Sequence, residues 1–174
     1  MNYALLFLIA LNVTPEDGSL LFIENGNRIV QNHTDSTITH VAIIFKNDND
    51  FWVYEAVQPK VRKIKLADYY LEIEKINTRK KEKRKLKVWI SNPNDPLTEI
   101  QKELAKTYLE KQIGRKYSIA GYLEEIPVKG IHCCELVGET LVLMKINFSD
   151  NTSKDDPWSV WKKTKPFYKE KKES

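Results

Sequence analysis

Between Gly18 and Ile90 apolar and polar residues follow one another in short runs of four to seven, the spacing of β-strands rather than of helices. GSLLFIE, THVAIIF, FWVYEAV, VRKIKL and LKVWI are each rich in β-branched or aromatic residues, and clusters of Asn, Asp or Gly separate most of them. Short strands adjacent in sequence favour antiparallel pairing. Asn25-Gly26 is a tight-turn dipeptide, and Lys46-Asn47-Asp48-Asn49 predicts a second turn between two strong strands. Ala67 to Lys75 is expected as a short helix within this half.

From Asp95 onward the period changes to three and four. Asp95 can cap a helix that has Pro96 at its first position, where the missing N–H costs nothing. The helix is expected to run to about Gln112, with Leu97, Ile100, Leu104 and Tyr108 on one face and Gly114 as the left-handed residue beyond its end. After a loop containing Pro127 and Gly130, the apolar-striped segment Cys133 to Leu143 (CCELVGETLVL) predicts a second main helix. Grouped strands and segregated helices give an α+β class, an antiparallel sheet or half-barrel packed with helices.

Length and composition narrow this further. A chain of 174 residues with 41% hydrophobic content fits one domain with a real core. The longest apolar run, Ala4 to Leu11, is well short of the ~20 residues of a membrane-spanning helix. Residues 1–14 have the length of a signal peptide, yet no Lys or Arg precedes the apolar stretch and no small-x-small cleavage site follows it. Export and a packed first element therefore both stand, and with them an exported or a cytoplasmic location. Residues 15–161 form the expected main domain and 162–174 a basic C-terminal tail.

The net charge of +4 hides an uneven distribution. Arg79 to Lys87 (RKKEKRKLK) holds seven bases and one acid, Lys162 to Ser174 six bases and two acids, and the remainder is mildly acidic. Such segments are usually solvated; where they act, they attract an anionic polymer or a membrane surface, and no specific nucleic-acid recognition is expected. The two cysteines, Cys133 and Cys134, are neighbours, unsuited to an unstrained disulfide, and no second pair stands at zinc spacing. Neither a metal nor an organic cofactor is expected, and the oligomeric state is left open.

Three residues suggest chemistry. If Asn47-Asp48 is a two-residue turn, His40 falls directly opposite Glu55, with Cβ atoms about 5 Å apart on one face. Cys133, after Gly130-Ile131-His132, would lie in the first helical turn, where free N–H groups and the helix dipole favour a thiolate and could hold an oxyanion. Cys, His and a group orienting the His form the arrangement for acyl transfer through a thioester.

The strings DGSLLF, ITHVAIIF, VYEA, IGRKYS and IHCCELV, in this order, resemble the circularly permuted papain-like amidases of the YiiX/YaeF type, relatives of the NlpC-type peptidases and of lecithin:retinol acyltransferase. The resemblance runs from about Asp17 to Phe148 and implies a permuted papain-like fold. It assigns the histidine to His40, the strand-borne acid to Glu55 and the nucleophile to Cys133. It implies hydrolysis of amide bonds in a cell-wall peptide or a lipid-linked acyl group, with a lipid acyltransferase, a lipase or an inactive binding module as alternatives. Cys134 stands where the family usually has Ser, and Ser19 where Gly-Asp is common, so Ser19 is a candidate for the site mouth. Tyr117 matches a family position expected to pack near the site.

Other residues are weaker candidates. His132 could line the pocket as the residue before the helix. His33 (QNHTDST) is expected in a solvated polar loop, and Glu135 is expected to stabilise the helix N-terminus. Trp158 and Trp161 are expected to pin the C-terminal segment to the body.

Overall fold

The computed structural model describes residues 13–120, 130–146 and 151–169. Most of the apolar segment 1–14, Pro127, and residues 170–174 of the basic tail lie outside them. Five strands form one open sheet in the order β4-β3-β2-β1-β5, antiparallel throughout. They are β1 (Ser19–Glu24), β2 (Ile38–Asn47), β3 (Asp50–Val57), β4 (Lys60–Lys65) and β5 (Lys87–Ser91). The helices are α1 (Arg28–Thr34), α2 (Leu66–Asn77), α3 (Glu99–Gln112), α4 (Cys133–Leu143) and α5 (Pro157–Thr164).

Strand alternation explains the layering. Leu20 and Phe22 of β1 with Val41, Ile43 and Phe45 of β2 pack against Ala105 and Leu109 of α3, Leu136, Val137 and Leu141 of α4, and Val160 of α5. The intervening Leu21, Ile23, Ala42 and Ile44 pack with Leu66, Tyr69 and Tyr70 of α2. Helices cover both faces, so β1 and the middle of β2 are continuous apolar runs. Each fully buried Leu, Ile or Phe contributes about 1.5–3 kcal/mol of transfer free energy. Trp158 and Trp161 do pin the C-terminal segment: Trp161 meets Trp89 edge-on at 6.3 Å, and Trp89 stacks on Phe22 at 4.4 Å.

Four sequence expectations are corrected here. The β2–β3 turn is Asp48-Asn49, one residue later than expected, with Asp48 in a left-handed conformation (φ 54°) and Asn47 paired with Asp50. This moves the register by two, so His40 is not directly opposite Glu55. Helix α3 begins at Glu99, not at Pro96. Thr98 and Gln101 cap it reciprocally, the Thr98 hydroxyl accepting from Gln101 N at 3.3 Å and Gln101 Oε1 from Thr98 N at 2.9 Å. Leu97 stays outside the helix and packs against Gly18, whose positive φ and missing Cβ make room for it. The buried stripe of α3 is consequently Ala105 and Leu109, while Ile100 is 72% and Leu104 44% exposed.

His33, expected in a solvated polar loop (QNHTDST), lies instead in α1, which is capped by Asn27, whose side chain accepts from Ile29 N and Val30 N. The segment from Lys162 is not a tail throughout: Lys162 and Lys163 complete α5, Tyr168 is buried, and its hydroxyl donates to Gly18 O at 3.0 Å.

Candidate active site

His40 stands on β2 beside an irregularity. Ile23 pairs with His40 but Glu24 pairs with Ile38, so one extra residue enters β2 and the strict alternation breaks there. Ile38 returns to the α3/α4 side of the sheet, and Thr39 turns its hydroxyl to accept from Gly26 N at 2.8 Å. A bulge of this kind re-aims neighbouring side chains. Extending the observed β2–β3 register sets Ala42 against Glu55, which leaves His40 and Glu55 as diagonal neighbours. A shift of two preserves the face, and the contact survives: His40 Nε2 lies 2.7 Å from Glu55 Oε2.

Glu55 is 2% exposed and accepts three interactions. Tyr69 of α2 donates its hydroxyl to Oε2 at 3.0 Å, and Arg62 of β4 donates Nε to Oε1 at 2.7 Å. Arg62 also forks onto Glu72 at 3.2 and 2.7 Å. Burial alone would raise the Glu55 carboxyl, but His40 and then Arg62 overcome this and hold it below the usual carboxylate range.

Cys133 is the first residue of α4, and His132 is its N-cap in extended conformation with no side-chain cap. The opening N–H groups of α4 are therefore not capped by a side chain, and they face the sulfur's end of the helix. The Cys133 thiol is pushed well down, first by the hydrogen bond from Cys134, whose Sγ is 3.7 Å away, and then, against the cost of burial, by His132 and His40. His40 moves the other way. Burial lowers it, but its hydrogen bond and charge interaction with Cys133, with Glu55 in support, carry it up to about 10. Because Nε2 is taken by Glu55, Nδ1 is the ring nitrogen left for the sulfur. The two shifts together favour the thiolate–imidazolium form of the pair. Cys134, buried to the same degree, is pushed well up by burial and by the neighbouring thiolate.

Beside His40 and Glu55 lies a cavity of about 420 Å³. His40, Glu55 and Arg62 form its polar end, and Ile23, Ile29, Ile73 and Ile76 line its apolar wall. Tyr117 lines the same cavity, in isolated β-bridge contact with Ile131. Burial, then the charges of Cys133 and Cys134, raise its phenol. His132 Nε2 is held at 2.8 Å by Ser153 O, and burial lowers its pKa less than Cys133 raises it. Glu135 lies in the first turn of α4, 3.6 Å from Arg115.

Ser19 is not at the site mouth. It is fully buried at the opposite end of β1, four residues from Ile23 or roughly 13 Å at strand rise. There its Oγ is 2.7 Å from Asn92 Oδ1. The sequence reading missed Arg62 and Tyr69. Arg62 was within reach: pairing FWVYEAV with VRKIKL across Gln58-Pro59 sets Arg62 opposite Glu55, the register observed. Tyr69 gave no comparable signal, since Tyr69 and Tyr70 are equally plausible core residues of α2.

No curated protein matches the chain. Among solved structures, the crystal structure titled metalloprotein yiiX from Escherichia coli O157:H7 has the same fold, with a TM-score of 0.57 at 17% identity over 74% of this chain. The match spans 66% of that protein's chain. The family described as permuted papain-like amidase enzyme, YaeF/YiiX, C92 family, matches residues 14–155. The order of site elements, His40 and Glu55 on early strands and Cys133 on a late helix, agrees with the permutation in that description, and the chain belongs to this permuted papain-like amidase family.

Proposed function

We propose that this protein is a cysteine-dependent amidase acting through a thioester. The observation that carries the reading is the line Glu55–His40–Cys133, in which the carboxylate holds the imidazole at 2.7 Å and the thiol is driven toward its anion. Cys133 Sγ attacks the amide carbonyl carbon, and the N–H groups opening α4 receive the developing oxyanion. As the C–N bond breaks, His40 gives its proton to the leaving amine. Water then attacks the thioester while His40 takes a proton from it, and the acid leaves with the thiolate restored. Glu55, held by Arg62 and Tyr69, positions the ring and stabilises its charged form.

The cavity bears on the choice between peptide and lipid. Its isoleucine-rich wall beside a polar end suits an amide whose acyl side is apolar better than a charged peptide. The exposed basic segment from Arg79 follows α2 directly, and α2 supplies Ile73 and Ile76 to that wall. An anionic lipid surface could thus be held next to the cavity. Transfer of the acyl group to a lipid or amine acceptor instead of water would use the same residues.

The test is a series of N-acyl amides of increasing chain length, with peptidoglycan fragments beside them, given to the wild type and to Cys133→Ala. Amine release by the wild type, a rapid-quench mass increment on Cys133 equal to the acyl group, and loss of both in the variant are expected. Activity that persists in Cys133→Ala rules the mechanism out.

A further inference from the structure

At the start of α4 three soft or borderline donors come together in a way that acyl transfer does not require. One ligand atom each of His132, Cys133 and Cys134 lies within 4.8 Å of the other two, and all three residues are buried. The sulfurs are 3.7 Å apart. Two thiolates at about 2.3 Å from one tetrahedral zinc ion stand about 3.8 Å from each other, so the vicinal pair already has the bite of a chelate. It does not have the geometry of a disulfide. That bond needs about 2.05 Å between sulfurs and Cα atoms usually at least about 4.4 Å apart, whereas neighbours across a trans peptide sit at about 3.8 Å.

The third donor is oriented for the purpose. Its Nε2 is 2.8 Å from Ser153 O, and a carbonyl can only accept, so the ring proton sits on Nε2. In the neutral ring Nδ1 then carries the lone pair that a metal ion would take. A backbone carbonyl on the far nitrogen is the outer-shell contact that fixes the tautomer of metal-binding histidines.

Local charge supplies a second, independent observation. Asp155 is 5% exposed; its Oδ1 takes the Ser159 hydroxyl at 3.2 Å and the Lys163 ammonium, while Oδ2 has no hydrogen-bond partner among the described residues. Asp155 and Asp156 both act through their charge on Cys134. Negative charge acting on Cys134 opposes a second thiolate there unless a cation joins it. Two thiolates and one imidazole, with a fourth position open, are a donor set for Zn²⁺.

We propose that His132, Cys133 and Cys134 bind one Zn²⁺ ion, and that occupancy silences the thiol by engaging its lone pair. Binding would displace the proton of Cys134 to solvent as the second Zn–S bond forms. Cys134 is what makes the site, since a serine hydroxyl there would leave one thiolate and one imidazole. The site stands on the three donors; only its inhibitory consequence rests on the amidase reading.

The full chain, reduced and freed of metal, is titrated with Zn²⁺ against a chromophoric chelator, and in parallel with Cd²⁺ while the thiolate-to-metal absorbance is followed. One equivalent is expected to bind, with proton release, and to protect Cys133 from iodoacetamide. Cys134→Ser and His132→Ala should each weaken binding by at least about 10-fold, with far-UV circular dichroism unchanged. His40→Ala should still bind the ion with the wild-type stoichiometry while losing acyl transfer, which separates the two proposals. Absence of stoichiometric binding, or wild-type affinity in Cys134→Ser, overturns the site. Where a variant does not fold, the protection experiment on the wild type decides, and alkylation unaffected by one equivalent of Zn²⁺ overturns it.

Discussion

Strand β1 has a buried polar network at each end, and the two are built on opposite principles. At the Ser19 end the partners are mostly neutral. Ser19 Oγ accepts from Glu16 N at 2.8 Å and reaches Asn92 Oδ1 at 2.7 Å, and Asn92 Nδ2 donates to Thr14 O at 2.8 Å. Tyr168 closes the group by donating to Gly18 O. The contacts tie the segment before β1, the residue after β5 and the C-terminal segment together. At the Ile23 end the partners are charged: Arg62, Glu55, His40 and the Cys133 thiolate form a line in which each group shifts the next. Satisfied neutral bonds fix three pieces of chain in place. On the proposed reading the charged line holds a nucleophile in its reactive form, which is a use of burial that stability alone does not call for.

The largest expected effect tests that division at the charged end. Cys133→Ala should lower kcat/KM on an amide substrate by about 10⁴-fold or more, since removing one member of such a unit disables the whole. Its melting temperature should stay close to that of the wild type. A variant that unfolds before it loses activity would mean that Cys133 belongs to the core and not to the chemistry.

Next in size is Glu55→Gln. The amide keeps the shape but can no longer stabilise the imidazolium, and a loss approaching about 10⁴-fold is expected by analogy with a carboxylate-to-amide change in a hydrolase triad. The pH profile sharpens the point. The reactive pair exists above the depressed pKa of Cys133 and below the raised one of His40, so kcat/KM should form a broad plateau that falls on the alkaline side near pH 10. Glu55 helps to raise His40, so in Glu55→Gln the alkaline limb should move to lower pH. A limb that stays in place would assign it to another group.

The neutral end should respond in the other currency. Ser19→Ala strands Asn92 Oδ1 and Glu16 N, and about 1–3 kcal/mol of stability should be lost in denaturant unfolding with kcat/KM unchanged. If activity falls and stability does not, Ser19 reaches the site through a route that its bonds do not describe.

Much of both regions could be read from the sequence where a single physical signal dominates. The apolar stripe of CCELVGETLVL set both ends of α4 correctly. The His40–Glu55 contact was anticipated from a register two residues off, and it held because strand side chains repeat with period two, so an even slip changes the partner opposite but not the face. Signals that compete locally were harder. Asp95-Pro96 and Thr98-Gln101 both announce a helix start, and only packing of Leu97 against Gly18 decides for the second. In α1 a single residue, Val30, is buried, so its seven residues carry no stripe to detect. Charge counting placed Lys162 in a tail, whereas Trp158, Trp161 and Tyr168 bind that stretch to the body.

The smallest effect, and the finest test of the charged end, concerns the second sulfur. The hydrogen bond from Cys134 is the leading cause of the depressed Cys133 thiol, with the cost of burial opposing it and the two histidines adding to it. A thiol that donates to a thiolate stabilises only the deprotonated state of its neighbour, so Cys134→Ala should raise the Cys133 pKa and move the acid limb of alkylation upward. A net hydrogen bond of about 1–1.5 kcal/mol corresponds to alkylation roughly 10-fold slower at a pH below that limb, with little change on the plateau. Cys134→Ser restores a donor of similar reach and should return the limb most of the way. Iodoacetamide rates across pH distinguish the three proteins directly. An acid limb identical in wild type and Cys134→Ala would mean that His132 and His40 hold the thiolate by themselves, and the vicinal sulfur would then owe its place to another task.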